Sequence, residues 1–259
     1  MPVSAVGAKA LELAQHECSA IAAALRPGAG VHESVHGARK GIRRLRALLR
    51  LFDASDLDLA TEDQRLRRIG KGLSALRDSH VVIESARGME KKYPDLPWGT
   101  ILRRLDARRE HVLAAELDKD PSFARRRKAV QKVAELLSTQ PWPEVKSDAI
   151  WAGYKRSERR VVKVRKKAAG SDDVEVLHRW RRAVRRLRMQ IEAMQALGVD
   201  VSSKKAVGKA KVLHQLSDRL GRRQDLRMLR NLVRVMTGIE HRKLLIAAIE
   251  EELARAVPN

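Results

Sequence analysis

Apolar residues recur along this chain every three or four positions, and nowhere do they alternate with polar ones over a useful length. The first spacing belongs to one face of an α-helix, the second to a half-buried strand. Leu, Ala, Arg, Lys and Glu dominate, all of them good helix formers. The pattern predicts an all-α protein. Helices are expected at about 3–26, 32–52, 61–90, 98–117, 122–139, 144–169, 173–197, 203–235 and 239–256, with ends good to ~2–4 residues. Gly and Pro mark the breaks, at Pro27 to Gly30, Tyr93 to Pro97, Asp120-Pro121, Pro141-Trp142-Pro143, Gly170-Ser171 and Gly198. Asp95, Asp120 and Ser171-Asp172 are the expected N-terminal caps.

Two of these helices carry the same motif. Residues 36–46 and 178–188 both read H-x-x-R-[KR]-x-[IV]-R-R-L-R, without a gap and 142 residues apart. The similarity extends further. Glu33 and Val35 match Glu175 and Leu177, and the run from Leu73 to Asp78 resembles that from Leu220 to Asp225. A long helix precedes each histidine helix. The chain therefore reads as a single domain, 1–259, with internal halves at about 1–139 and 140–259, each a copy of one helical bundle.

At about 100° per residue the first motif divides into two faces. His36, Arg39, Lys40, Arg43 and Arg50 gather on one, flanked by Arg44 and Arg46; Val35, Ala38, Ile42, Leu45, Leu48, Leu49 and Phe52 oppose them. In the second motif, Arg181, Arg182, Arg185 and Arg186 accompany His178. Leu177, Trp180, Val184, Leu187, Ile191 and Met194 oppose them. One face packs into a core. The other is a cationic stripe of about three turns, roughly 15 Å long. Solvated helices usually mix signs at i, i+4. Here like charges stand at that spacing, Arg39 with Arg43 and Lys40 with Arg44, which is unfavourable unless an anion lies against them. Arginine's planar fork suits repeated phosphate contact. A histidine among arginines resists protonation until an anion arrives.

Charge reinforces this reading. The formal net charge is +22, a self-repulsion that fits a polyanionic partner: nucleic acid, anionic membrane or polyphosphate. Cys18 is the only cysteine and reads as a small core residue. No segment approaches the ~20 apolar residues of a membrane span, and no signal-peptide pattern opens the chain. A cytoplasmic location is expected. Aromatics are only 3% of residues, which removes the stacking platform of single-strand nucleic-acid binders.

The double motif resembles the CHAD family, the conserved histidine α-helical domain. The resemblance rests on His36, Arg39, Arg43 to Arg46, His178, Arg181 and Arg185 to Arg188. The runs Leu73 to Asp78, Leu220 to Asp225 and Gly153 to Arg156 support it. It implies two pseudo-symmetric helical bundles around a basic central cleft or pore, binding inorganic polyphosphate and targeting to polyphosphate granules. It implies no catalysis, cofactor or metal. Carried onto this chain, the polyphosphate-binding residues are His36, Arg39, Lys40, Arg43, Arg44, Arg50, His178, Arg181, Arg182, Arg185 and Arg186. Tyr154, Lys155 and Arg159 join them by family analogy. Gln224 in place of Arg77, and Gly41 inside the first motif helix, depart from the pattern. Non-specific nucleic-acid binding is the alternative.

Other constellations weigh less. His32-Glu33-Ser34-Val35-His36 is a literal H-E-x-x-H. Val174 replaces His32 in the second copy, and the face beyond His36 is cationic, so a zinc site is not expected. Asp78 and Asp225 read as structural, pairing with an arginine or holding a helix position, rather than as a catalytic or magnesium-binding pair. Arg125 to Lys128, Arg103-Arg104 and Arg108-Arg109 read as solvated basic turns. No Walker A loop, dinucleotide fingerprint or nucleophile elbow is present.

Overall fold

The structure, a computed structural model, describes residues 5–28, 30–199 and 204–256. The starts expected at residues 3 and 203, and Ala29 of the first break, lie outside them. Among the described residues the regular structure is entirely helical. Its ten α-helices are α1 (Ala5–Ala24), α2 (Val31–Leu49), α3 (Ala60–Gly72), α4 (Ser74–Lys92), α5 (Trp98–Lys119), α6 (Ala124–Ser138), α7 (Ser147–Ala168), α8 (Val174–Ala196), α9 (Lys204–Val235) and α10 (Arg242–Arg255). None of them is long and apolar enough to cross a membrane.

The segment expected as one helix over 61–90 is two. Leu73 breaks it, with φ −94° and ψ 3°. Gly70 and Gly72 occupy the preceding turn, where glycine weakens a helix by about 1 kcal/mol each, and the buried Leu73 side chain fixes the bend. Two caps also differ from expectation. Asp173, not Ser171-Asp172, caps α8 by accepting from the N–H groups of Glu175 (2.8 Å) and Val176 (3.3 Å). Asp120 caps α6 from a distance, accepting from the Arg125 N–H at 2.7 Å across the turn Pro121–Phe123.

The chain forms two compact units. The first comprises Met1–Leu73 and Asp120–Gln215, the second Ser74–Lys119 and Leu216–Asn259. This division cuts across the halves at 1–139 and 140–259, since each unit draws segments from both.

In the first unit α1 packs on α2, α7 on α8, and α2 on α8; α6 lies against α1 and α3. Ala10, Ala14, Cys18, Ile21 and Leu25 form the buried stripe of α1. Val35, Ala38, Ile42 and Leu45 of α2, and Leu177, Trp180, Val184 and Leu187 of α8, are the faces the helical wheel assigns to the core. Two glycines permit close approach. A Cβ on Gly41 would stand 2.6 Å from Ile21 Cγ1, and one on Gly153 would stand 2.1 Å from the Leu51 carbonyl oxygen. Gly41, the irregular member of the first motif, is thus where α1 presses on α2.

The second unit has its own core. Ile83 and Met89 of α4, Trp98 and Ile101 of α5, Leu229 and Val233 of α9, and Leu245 and Ile249 of α10 pack together.

Candidate functional site

Because α2 packs on α8, the two cationic rows lie in one unit. Along α2, His36 and Lys40 are exposed and Arg39, Arg43 and Arg44 half-buried. Along α8, Arg182 is exposed and His178, Arg181, Arg185 and Arg186 half-buried.

One side of this pair opens into a cavity of about 380 Å³ walled by eight arginines and two aspartates. Helix α2 and its C-cap contribute Arg46 and Arg50, and α3 contributes Arg67 and Asp63. Arg156 and Arg160 come from α7, and Arg179, Arg182 and Arg186 from α8. Six positive charges remain in excess.

Asp63 organises the α2 wall. Its carboxylate accepts from Arg46 Nε (2.8 Å) and Nη2 (3.2 Å) and from Arg50 Nη2 (2.8 Å). Burial pushes the Asp63 carboxyl up, but hydrogen bonds and charge from Arg46 and Arg50 outweigh it and hold the group below the usual carboxylate range. Arg50 also meets Asp53 at 3.2 Å. Burial pulls its pKa down, but the two carboxylates outweigh burial and hold it above the ordinary value.

The α8 wall is different. Arg182 comes only to 4.0 Å from Glu175. Arg186 makes no ion pair among the described residues. Burial first, then the charges of Arg50, Arg160 and Arg46, pulls its pKa down to about 10. The guanidinium stays charged at neutral pH, but it sits where positive charge is disfavoured and an anion would be welcome.

Of the residues expected from sequence, Arg50, Arg182 and Arg186 line this cavity. Arg44 is engaged on α1, where its Nε lies 2.7 Å from Glu17 Oε1. Arg39 donates to the Gly70 carbonyl at 2.6 Å. Tyr154, Lys155 and Arg159 of α7 do not line this cavity. Tyr154 is buried, donates its hydroxyl to Glu158 Oε1 (3.0 Å) and accepts from Lys209 Nζ (3.2 Å). Arg159 folds back on the Lys155 carbonyl at 3.4 Å and lines a separate groove. Helix α7 instead turns the neighbouring stripe, Arg156 and Arg160, to the cavity. Both stripes have i, i+4 cations, so spacing alone does not select between them. Arg46, Arg67 and Arg179 also line the cavity, and of these Arg46, the last residue of the repeated motif, carries a signal in the sequence.

His32 and His36 stand with ring centroids 6.1 Å apart. In the second unit Arg77 donates to Asp78 Oδ1 (3.0 Å) and Asp225 Oδ1 (3.1 Å), so both aspartates serve an arginine.

Planar donors converging from four helices on one small space suit a ligand with several tetrahedral oxyanions. No curated protein sequence matches the chain. A crystal structure of the CHAD domain from the plant Ricinus communis is similar at a TM-score of 0.68, with 20% identity over 98% of this chain and 89% of that one, a likeness of fold. The family model of the CHAD domain matches residues 10–234. The chain belongs to the CHAD domain family.

Proposed function

We propose that this chain binds inorganic polyphosphate, with the arginine-walled cavity of the first unit as its main contact. The observation that carries the reading is the excess of six positive charges around about 380 Å³, with Arg186 held there making no ion pair among the described residues. Its family supports the reading, since polyphosphate binding is what the CHAD resemblance implies. Two residues of the cavity wall, Arg179 and Arg182 on α8, are exposed and extend the contact along a longer chain. The role is that of a binding module, one that holds the anion without turning it over and can bring an attached cargo to a polyphosphate granule.

Polyphosphate carries charge along its whole length and offers no base to read. Arginine forks bind it by charge and geometry, so affinity falls with salt as counterions are released. Competition tests the reading against general nucleic-acid binding. Labelled duplex DNA bound to the chain at moderate salt is expected to be displaced by long polyphosphate at a lower phosphate concentration than unlabelled DNA requires. DNA displacing labelled polyphosphate more readily than polyphosphate itself does would overturn the assignment.

A further inference from the structure

Arg44 and Arg186 hold the same place in the two copies of the motif, yet their surroundings are opposite. Glu17 neutralises Arg44 through contacts of 2.7 and 2.9 Å. Arg186 lies among Arg46, Arg50 and Arg160. The inequality continues around them. Arg179 stands where the first copy has Gly37, and Arg182 where it has Lys40. On the other wall, Arg46 and Arg50 correspond to Arg188 and Glu192. Those two counterparts satisfy each other at 2.6 Å, i to i+4 within α8. The motif is repeated, but the surroundings of its cations are not.

The cavity also has a definite size. About 380 Å³ falls toward the small end of ligand pockets, which run ~300–1,000 Å³. Arg179 to Arg186 span about 10 Å of helix. A few phosphoryl groups fill such a space. Asp63 spends Nε and Nη2 of Arg46 and Nη2 of Arg50, which fixes the orientation of both forks. Arg160, Arg179 and Arg186 make no ion pair among the described residues, so their donors face the ligand uncommitted.

We propose that this cavity is a single, one-sided seat for a compact oligophosphate, either a short free chain or the terminal stretch of a long one. In the first copy the corresponding arginine, Arg44, is committed to Glu17 instead. This inference rests on the polyphosphate reading and narrows it to one binding end per chain.

Titration calorimetry of the full chain with tripolyphosphate tests it. One tripolyphosphate per chain is expected, and Arg186→Ala is expected to weaken it at least tenfold, at least five times more than Arg44→Ala does. Should Arg44→Ala fail to fold, the exposed pair Arg182→Ala and Lys40→Ala repeats the comparison, with the larger loss at Arg182. Long polyphosphate whose ends are blocked as amides separates the two sources. If it competes less than the unblocked chain, the seat takes chain ends; if neither long chain competes, it takes free short ones. Two equal sites per chain, equal losses in the two copies, or no tripolyphosphate binding by a chain that binds long polyphosphate overturns the inference. Absence of long-polyphosphate binding overturns the functional reading instead.

Discussion

Arg44 Nε lies 2.7 Å from Glu17 Oε1, and the pair joins α2 to α1 at the place where Gly41 lets the two helices touch. Glu17 is almost wholly buried. Its charge is tolerated there because the guanidinium meets it on two oxygens.

Removing one partner leaves the other exposed to the full cost of burial. Arg44→Met is therefore expected to lower stability by about 1–3 kcal/mol. Arg186→Met, at the equivalent position, removes a cation that burial and three neighbouring arginines disfavour. It is expected to leave stability unchanged or raise it. Urea unfolding of both variants in phosphate-free buffer at low salt checks the contrast, and equal losses would contradict it.

Acid should weaken each unit through a different carboxylate. Asp63 in the first unit and Glu252 in the second are both held below their ordinary values, near 3.8 and 4.5. In each, burial opposes the shift, and contacts with Arg46 and Arg50, or with Lys92 and Arg255, overcome it. Their contribution is fully present above those ordinary values and is lost as pH falls through the lower folded ones. Asp63→Asn and Glu252→Gln should each be less stable at neutral pH and lose less between pH 5 and 2, a range of about three units chosen to span both transitions. Stability measured by urea across that range decides it.

Gln190 is fully buried in α8, and neither amide atom has a hydrogen-bond partner among the described residues. The first motif copy carries Leu48 at the corresponding position, also buried. An unsatisfied buried amide costs about 1–3 kcal/mol. Gln190→Leu is thus expected to raise stability by about 1 kcal/mol, read as a higher urea midpoint at unchanged slope.

Cys18 is buried on α1 beside Glu17. Burial, and then that carboxylate, pushes its thiol up to about 12. Since the thiolate is the reactive form, Cys18 should resist a thiol reagent in the folded protein and react promptly in denaturant. Rapid labelling under native conditions would contradict this placement.

The sequence shows the helices and their core faces because periodicity is local: Val35, Ala38, Ile42 and Leu45 announce themselves within three turns. The cation rows are legible for the same reason, since like charges at i, i+4 are unusual. What neutralises each cation is not legible. Glu17 lies 27 residues from Arg44, and Asp63 lies 17 from Arg46, so only tertiary packing shows that Arg44 is engaged while Arg186 makes no ion pair among the described residues. Which cation stripe of α7 meets the cavity, Lys155–Arg159 or Arg156–Arg160, is hidden on similar ground. Both stripes fit the helix, and the packing of α7 on α8 selects one. The break at Leu73 was missed because two glycines in a helical pattern weaken it without naming the residue where it bends.

The central claim is that the cavity of the first unit captures polyphosphate. Its most direct test is the affinity of the full chain for long polyphosphate as a function of salt, beside the Arg182→Ala/Arg186→Ala double variant. Saturable binding is expected, with log affinity falling linearly in log salt, and the double variant should bind at least tenfold more weakly with a shallower slope by about one to two. Unchanged affinity and slope in the double variant would place binding elsewhere on the molecule and contradict the account.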